Sequence, residues 1–599
     1  MASMIILLPL PLAFSFSLLI WLIRRSIRKK MLEKAFNDRL KEKKEKVYFK
    51  YQECKELFNK LPSLNLDNQP ISELTQKIKD GIYKSEDVLS TYVKKCYQFS
   101  WPLNHLSENI FLEALNSARS IQIDRGSKNK SLLGIPISIK DTIDLKGCDN
   151  TDGLVRYSLQ PKNEDSDIVK LIKNEGGIPF VKTNIPQASF VPESLNLIYG
   201  RGINPWNIER TIGGSSGGCS GITSVGASPL SIGVDLGGSI RTPSNFCGVY
   251  GIKPSCSRIP NFNPHSKDIS YIRGLQELSP AIGPITCSVS NIHTFFRGIF
   301  NSFGFSLDPY IIPLEFREDV YTNFLLKKGL RIGYFTSDGI FPACLSSCKA
   351  VEKTVELLTN EGYHCIPFKM QNLNEGFLCF MALSFAEGNM HTLRDELEDE
   401  KFLDLYKEMI LFSSIPNFLL KIAGFIFRKM GQRRMSAFCN SMQALDSEEY
   451  ATIVIKSQKF KEDFNNYWDS LNLDGLICPV NSLPALKHNY SSLISCCTSY
   501  SALFNLLGMP AGALPIRLVN SDETFYEDQE KFNDKYIKIA DEVMKDSEGL
   551  PICIQVITKS YHEEECIGLM KIIENIVKFN EKPDLSKCNL GSIEKINKL

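Results

Sequence analysis

Two serine turns set in glycine lie within one stretch of this chain, TIGGSSGGCSGITSVGASPLSIGVDLGGSIRTPSNFCGVYGIKP read from Thr211: Gly213-Gly214-Ser215-Ser216-Gly217-Gly218 and Gly237-Gly238-Ser239. Glycines on both sides of a serine let the backbone enter conformations closed to residues with a Cβ, so several amide N–H groups can converge beside one hydroxyl. A hydroxyl flanked by convergent donors is what acyl transfer through a tetrahedral oxyanion needs. Upstream, Gly134-Ile135-Pro136-Ile137-Ser138-Ile139-Lys140-Asp141 ends an apolar run in a lysine. That is the pattern of a buried strand delivering an amine to the same place.

These residues resemble the amidase signature hydrolases, a family whose catalytic set is a serine nucleophile, a bridging cis-serine and a lysine. Position by position, the resemblance sets Ser239 of DLGGSIR at the nucleophile, Ser215 of GGSSGG at the cis-serine and Lys140 of GIPISIKD at the base. Asn204-Pro205-Trp206-Asn207, Phe246-Cys247-Gly248 and Gly251-Ile252-Lys253-Pro254 also read as the family writes them, and the likeness runs from about Leu132 to Val577. It implies an α/β fold with a large mixed, twisted β-sheet surrounded by helices, a homodimer, and neither metal nor cofactor.

The implied mechanism fits the residue types. A lysine at its usual pKa of about 10.4 is a poor proton acceptor at neutral pH, and burial lowers that value by disfavouring the charged form. Lys140 is therefore expected to be neutral at rest and to take a proton from Ser239 through the Ser215 hydroxyl while Ser239 attacks a carbonyl. The proton then returns to the leaving nitrogen. Backbone N–H groups of Leu236, Gly237, Gly238 and Ser239 are the expected oxyanion donors, worth roughly 3 to 4 kcal/mol each. Ser216, Asp235 and Arg241 are expected to hold the turn from behind.

Two other readings of the same residues compete. A Gly/Ser-rich stretch taken alone is most often a flexible loop. Gly214-Ser215-Ser216-Gly217-Gly218 also satisfies G-x-S-x-G, the nucleophile elbow of α/β-hydrolases, with Ser216 as nucleophile. The elbow needs a histidine, and of the seven in the chain only His488 and His562 come late enough.

Alternating apolar and amphipathic segments give the fold class as α/β. Strands are predicted at Leu133–Lys140, Ile178–Lys182 and Leu230–Asp235, and helices at Ser166–Glu175 and Cys348–Glu361, while Ser72–Tyr97 resembles the helical entry of the amidase fold. No linker or repeat divides the 599 residues, so one large catalytic domain over 72–580 with appendages is expected, followed by a polar tail at 581–599. With 69 basic and 68 acidic residues the chain has no global field for nucleic acid. The 18 cysteines lack paired C-x2-C sets and read as buried thiols of a reducing compartment rather than as metal ligands or disulfides.

Residues 1–23 carry no charge and give way to Arg24, Arg25, Arg28, Lys29 and Lys30. Residues 1–30 thus read as a single-pass anchor with a basic flank, placing the catalytic body on the cytoplasmic face of an intracellular membrane of the endoplasmic reticulum type. Pro9 and Pro11 leave a shallow or kinked insertion as the alternative. A helical connector is expected over 31–71, packed on one face through Leu32, Phe36, Leu40, Val47, Tyr51 and Phe58, its charges forming a solvated face.

A second apolar segment over 403–438 joins two helical halves at Ser413-Ser414-Ile415-Pro416. In the second half Phe418, Leu419, Ile422, Phe425 and Ile426 fall at helical spacing among Lys421, Arg428, Lys429, Arg433 and Arg434, the pattern of a helix lying in a membrane interface. An ordinary core-facing helix would show the same stripe. The placement resembles the membrane cap of the fatty acid amide hydrolases, a branch of the family that WDSLNLDGLICP, YSALFNLLGMPAGALP and GLPICIQ also resemble. Phe190, Phe380, Met381, Leu383, Phe385, Phe412 and Met435 are the candidates for an acyl channel. The implied activity is cleavage of a lipid amide drawn from the bilayer. The alternatives are an amidotransferase A-type subunit releasing ammonia from glutamine, and an inactive amidase-fold membrane receptor.

Overall fold

A computed structural model of the chain describes residues 10–67, 69–123, 126–260, 277–302, 308, 310–387, 390–397, 400–527 and 534–588. Its strands are β1 (Leu106–Asn109), β2 (Pro136–Lys140), β3 (Ile178–Thr183), β4 (Leu195–Asn196), β5 (Gly200–Arg201), β6 (Leu230–Asp235), β7 (Tyr250–Lys253), β8 (Ala281–Thr286), β9 (Arg331–Tyr334), β10 (His364–Pro367), β11 (Gly475–Pro479), β12 (Ala511–Leu518) and β13 (Pro551–Ile557). All but the β4–β5 hairpin join one 11-stranded sheet in the order β1-β3-β2-β6-β8-β7-β12-β13-β11-β9-β10. Parallel pairs (β2 with β3 and β6, β9 with β10 and β11) stand in two blocks separated by antiparallel pairs, so the sheet is mixed. Helices cover it.

The near-continuous apolar runs of β2, β3 and β13 are buried along their whole length, as strands covered on both faces must be. β6 occupies the predicted Leu230–Asp235, whereas β2 starts at Pro136 because Gly134 turns the chain at φ +76° just before it. The predicted helices form as Asp167–Asn174 and Leu345–Asn360.

Register decides where the chemistry lies. Because β2 and β6 are parallel neighbours, with Ile137, Ser138 and Ile139 opposite Leu230, Ser231 and Ile232, the two strands end on the same edge of the sheet. Lys140 closes β2 and Asp235 closes β6, leading into the Gly237-Gly238-Ser239 turn. The helix Gly217–Ser224 packs across this edge through residues without bulk: a Cβ on Gly218 would come within 2.4 Å of Asn184 N and of the His105 carbonyl.

One helix, Leu10–Lys60, runs unbroken through the expected border between anchor and connector at 30/31. Its last third packs on the body, with Tyr51 stacked on Trp101 at 3.6 Å and Phe58 edge-on to Phe111 at 5.8 Å, while Leu32 is exposed. The connector's charges are not all solvated as expected, since Lys43 is 2 % exposed. The predicted anchor of residues 1–30 falls on 1–9, outside the described residues, on 10–20, of which only the helical backbone is described, and on 21–30, whose side chains are exposed, Trp21, Leu22 and Ile23 among them. Among the described residues no single helix is long and apolar enough to cross a membrane; Asp404–Ser413 and Asn417–Lys429 reach that length and composition only as a pair bent by 103°.

Backbone closes on Gly218 from two sides, and Gly218→Ala is expected to destabilise the protein by about 1–3 kcal/mol through overpacking. Denaturant unfolding measures it; no change in midpoint would contradict the packing described.

Candidate active site

Lys140 is buried at the end of β2, and its Nζ lies 2.7 Å from Ser215 Oγ. Burial lowers its pKa to about 8, against the pull of Cys219, Asp152, Asp235 and Asp141, each of which favours the ammonium form. The sequence led us to expect an amine neutral at rest, and at about 8 it is only partly so. A pKa of about 8 leaves roughly one tenth of it uncharged at pH 7 and half at the pKa itself. Behind the lysine, Thr183 Oγ1 and Cys219 Sγ lie 3.0 Å apart.

Ser215 follows a cis peptide bond from Gly214. Its loop is held by Ser194, whose N–H and hydroxyl both donate to the Gly213 carbonyl at 3.0 and 2.8 Å. The Ser216 N–H donates to the Ser239 carbonyl at 3.0 Å, tying the two serine turns to each other. Lys140, Ser215 and the Ser239 turn therefore sit at one edge.

The Ser239 turn is built over Asp235. Its carboxylate accepts from the N–H groups of Gly238 at 2.8 Å and Ile240 at 3.0 Å, from Arg241 Nε and Nη2 at 3.1 and 3.0 Å, and from Asn505 Nδ2 at 2.9 Å. Arg241 also donates to Gln555 Oε1 and Asn505 Oδ1, so no part of this buried pair is left without a partner. Burial disfavours ionised Asp235, but Arg241, Asn505 and Ile240 outweigh it and hold the carboxyl well below the usual carboxylate range. The Gly238 N–H, one of the four expected oxyanion donors, is committed to Asp235 and turned away from the cavity. Those of Leu236, Gly237 and Ser239 have no acceptor among the described residues.

Leu236, Gly237, Gly238 and Ser239 form part of the wall of a cavity of about 230 Å³. Phe190, Phe380, Met381, Phe385, Phe412 and Met435 line it as well. Leu383 does not: it is buried in the core with Cys379 and Phe460. Helix period explains this, since Phe377, Phe380, Met381 and Ser384 share the cavity face of the helix Asn374–Ser384 and Leu383 points elsewhere. Phe377, Phe438, Met442 and Tyr536 belong to the wall too, beside polar residues such as Glu408, Ser492, Thr498 and Lys535, and none of these was foreseen from the sequence. Phe377 was legible, three residues before Phe380 on one face; Tyr536 arrives from a distant segment with no local pattern.

The nucleophile elbow fails on geometry. Ser216 Oγ is fully buried and engaged with the Val234 backbone at 3.2 Å, His488 Nε2 meets the Ile208 carbonyl at 2.9 Å, and His562 Nδ1 meets Glu565 Oε2 at 2.8 Å.

On the expected cap helix, Phe418, Leu419, Ile422, Phe425 and Ile426 face outward rather than into the core, Phe418 and Phe425 each 63 % exposed. The buried side of the helix is Leu420 and Gly424, where Asn440 packs. In the preceding helix Glu408, Met409 and Phe412 line the cavity and Leu411 is exposed.

Known proteins resemble this chain in sequence and in fold. The amidase family pattern matches residues 87–567. Fatty-acid amide hydrolase 1 of Sus scrofa is 29 % identical over 520 residues, covering 86 % of each chain. Fatty acid amide hydrolase 1 of Caenorhabditis elegans is 31 % identical over 450 residues, 74 % of this chain and 76 % of its own. Among solved structures, a fatty acid amide hydrolase superposes with a TM-score of 0.73 at 18 % identity over 92 % of this chain and 95 % of its own, a likeness of fold.

Replacing Asp235 by Asn leaves Arg241 buried without its counter-charge, and the expected loss is about 3–5 kcal/mol. Because the folded pKa of Asp235 is depressed, its contribution is complete above the unfolded value of about 3.9 and is lost as pH falls towards the folded value. Urea unfolding of wild type and Asp235→Asn from pH 5 to 8 should give a constant gap; a gap under about 1 kcal/mol contradicts the pairing.

Proposed function

We propose that this chain, which belongs to the amidase family and is a hydrolase of that family, cleaves fatty acid amides at a membrane surface. The substrates are N-acylethanolamines or primary fatty acid amides, and the products a free fatty acid and an amine or ammonia. The observation that carries the reading is the cavity: an apolar wall of Phe377, Phe380, Met381, Phe412, Met435 and Phe438 converges on the Leu236–Ser239 turn. A hydrocarbon chain fits such a wall. That two relatives carry the name fatty acid amide hydrolase supports the same class.

In the proposed reaction, uncharged Lys140 accepts a proton from Ser215, which takes one from Ser239 as the Ser239 oxygen attacks the amide carbonyl. The oxyanion is held by the N–H groups of Leu236, Gly237 and Ser239, the three that Asp235 leaves free. The proton returns through Ser215 to the leaving nitrogen, the C–N bond breaks, and the amine departs. Water, activated by the same pair, then releases the fatty acid and restores Ser239.

The outward apolar face of Asn417–Lys429 is the proposed membrane contact. Lys429 lies over the Phe425 ring at 5.6 Å, and Lys421 and Arg428 are set to meet anionic headgroups. Since the helix before it carries cavity-lining Met409 and Phe412, an acyl chain can pass from bilayer to cavity without crossing water. Each methylene kept out of water contributes about 0.8 kcal/mol.

Labelling of purified protein with an alkyl fluorophosphonate should modify the peptide containing Ser239, at a rate that rises with pH through about 8, the value set for Lys140. Ser239→Ala should abolish labelling; a modified peptide carrying Ser216 instead contradicts the assignment. Separately, Phe425→Asp with Ile426→Asp should lower turnover of long-chain amides in vesicles about tenfold while sparing short soluble amides. Equal losses on both would remove the membrane contact from the account.

A further inference from the structure

The N-terminal helix carries one buried charge. Lys43 is 2 % exposed and donates to Asp149 Oδ2 at 2.7 Å and to Glu108 Oε1, partners that are 2 % and 10 % exposed. An ammonium is not taken out of water for stability alone, because its desolvation competes with the attraction it gains. The position of Asp149 gives it another use.

Asp149 opens the segment Asp149–Gly153, which lies directly on the loop leaving Lys140. Lys182 Nζ donates to the carbonyls of both Asp149 and Asp141, at 2.6 and 2.5 Å. Asn150 Nδ2 donates to the Thr142 carbonyl at 2.9 Å and to Asp144 Oδ1 at 2.6 Å. The Thr151 N–H and hydroxyl and the Asp152 N–H all donate to Asp141 Oδ1, at 2.9 to 3.0 Å.

The other side of the segment abuts the cavity. The Asp152 carbonyl accepts from Ala188 N at 2.8 Å, Asp152 Oδ1 accepts from Ser189 Oγ at 2.6 Å, and a Cβ on Gly153 would meet the Pro186 carbonyl at 2.5 Å. Ser189 and Phe190 line the cavity. The segment is therefore wedged between the residues that follow Lys140 and a wall of the cavity. From the N-terminal helix, the bonds that reach its neighbourhood are Lys43 to Asp149 and Arg39 Nη1 to the Arg156 carbonyl at 2.7 Å.

We infer that Lys43 is a positioning residue for Lys140: by pinning Asp149 it sets the Asp149–Gly153 segment against Asp141, and so makes the chemistry at Ser239 depend on the seating of the N-terminal helix. This rests on the reading of Lys140 as the base. The groups facing Lys140 are Cys219, Asp152, Asp235 and Asp141, and those facing Lys43 are Asp149, Asp141, Glu108 and Cys148. Loosening the segment admits water to Lys140. Burial is the largest influence on that amine, so relieving it raises the pKa, and the pH at which the base becomes competent rises with it.

The test uses the full chain and reads the rate of Ser239 modification by an alkyl fluorophosphonate against pH and reagent concentration. Lys43→Met is expected to slow the saturating rate about tenfold at pH 7 with little change in the half-saturating concentration. Its alkaline rise should move up by about half a pH unit or more. Lys43→Arg should recover the rate to within about threefold. Because Lys43→Met leaves two carboxylates without their cation and can fail to fold, Lys43→Met/Asp149→Asn is measured beside it. This pair removes most of the charge imbalance but not the loss of the pin, and is expected to stay slow. If either variant, folded by circular dichroism and thermal melting, labels within about threefold of wild type with an unmoved midpoint, the inference is overturned. Failure of the underlying reading looks different: wild type then labels away from Ser239, or Lys140→Met labels as wild type does.

Discussion

An amine withdrawn from water at the end of a buried strand is the feature around which the rest of this structure is arranged. Lys140 is closed in by β3, the Gly217–Ser224 helix and the Asp149–Gly153 segment, and it touches one hydroxyl, that of Ser215. Four ionisable groups nearby favour its charged form, and burial, the largest influence, opposes them. The pKa of about 8 is the balance of the two. In the proposed reaction, a wetter site would leave a charged lysine with little capacity to accept a proton, and a drier one without the aspartates would make it too weak a base to draw a proton through Ser215.

The same economy of contacts governs the Ser239 turn. Asp235 and Arg241 form a pair with every polar atom accounted for, and the pair shapes the turn from below by taking the N–H groups of Gly238 and Ile240. What is left facing the cavity is a hydroxyl and the remaining N–H groups, with no side chain between them and a substrate. Gly237 is needed there: a Cβ would stand 3.0 Å from Phe380 Cζ, the first ring of the apolar wall. The Leu236–Ser239 turn and the apolar cavity wall are thus built against each other.

Much of this was legible in the sequence where chemistry is written into the local backbone. Lys140, Ser215 and Ser239 each lie in a short segment whose glycines or apolar run dictate one conformation, and parallel pairing of β2 with β6 brings them to one edge. The stripe of Phe418, Leu419, Ile422, Phe425 and Ile426 was visible too, but periodicity says only that a face is apolar. Whether it turns inward or outward depends on what Leu420 and Gly424 pack against. Leu383 was misplaced because composition was read without the 3.6-residue period that carries Phe377, Phe380, Met381 and Ser384. The burial of Lys43 and the commitment of the Gly238 N–H were beyond reach, since both depend on partners, Asp149 and Asp235, whose proximity only the tertiary structure supplies.

The ionisation of Lys140 itself is the most direct test. Protein labelled with carbon-13 at the lysine ε position, titrated by NMR with Lys140→Met assigning the resonance, should show one lysine that changes state with a midpoint of about 8. A Lys140 resonance that keeps the shift of a charged amine until the usual lysine range of about 10.4 would contradict the account.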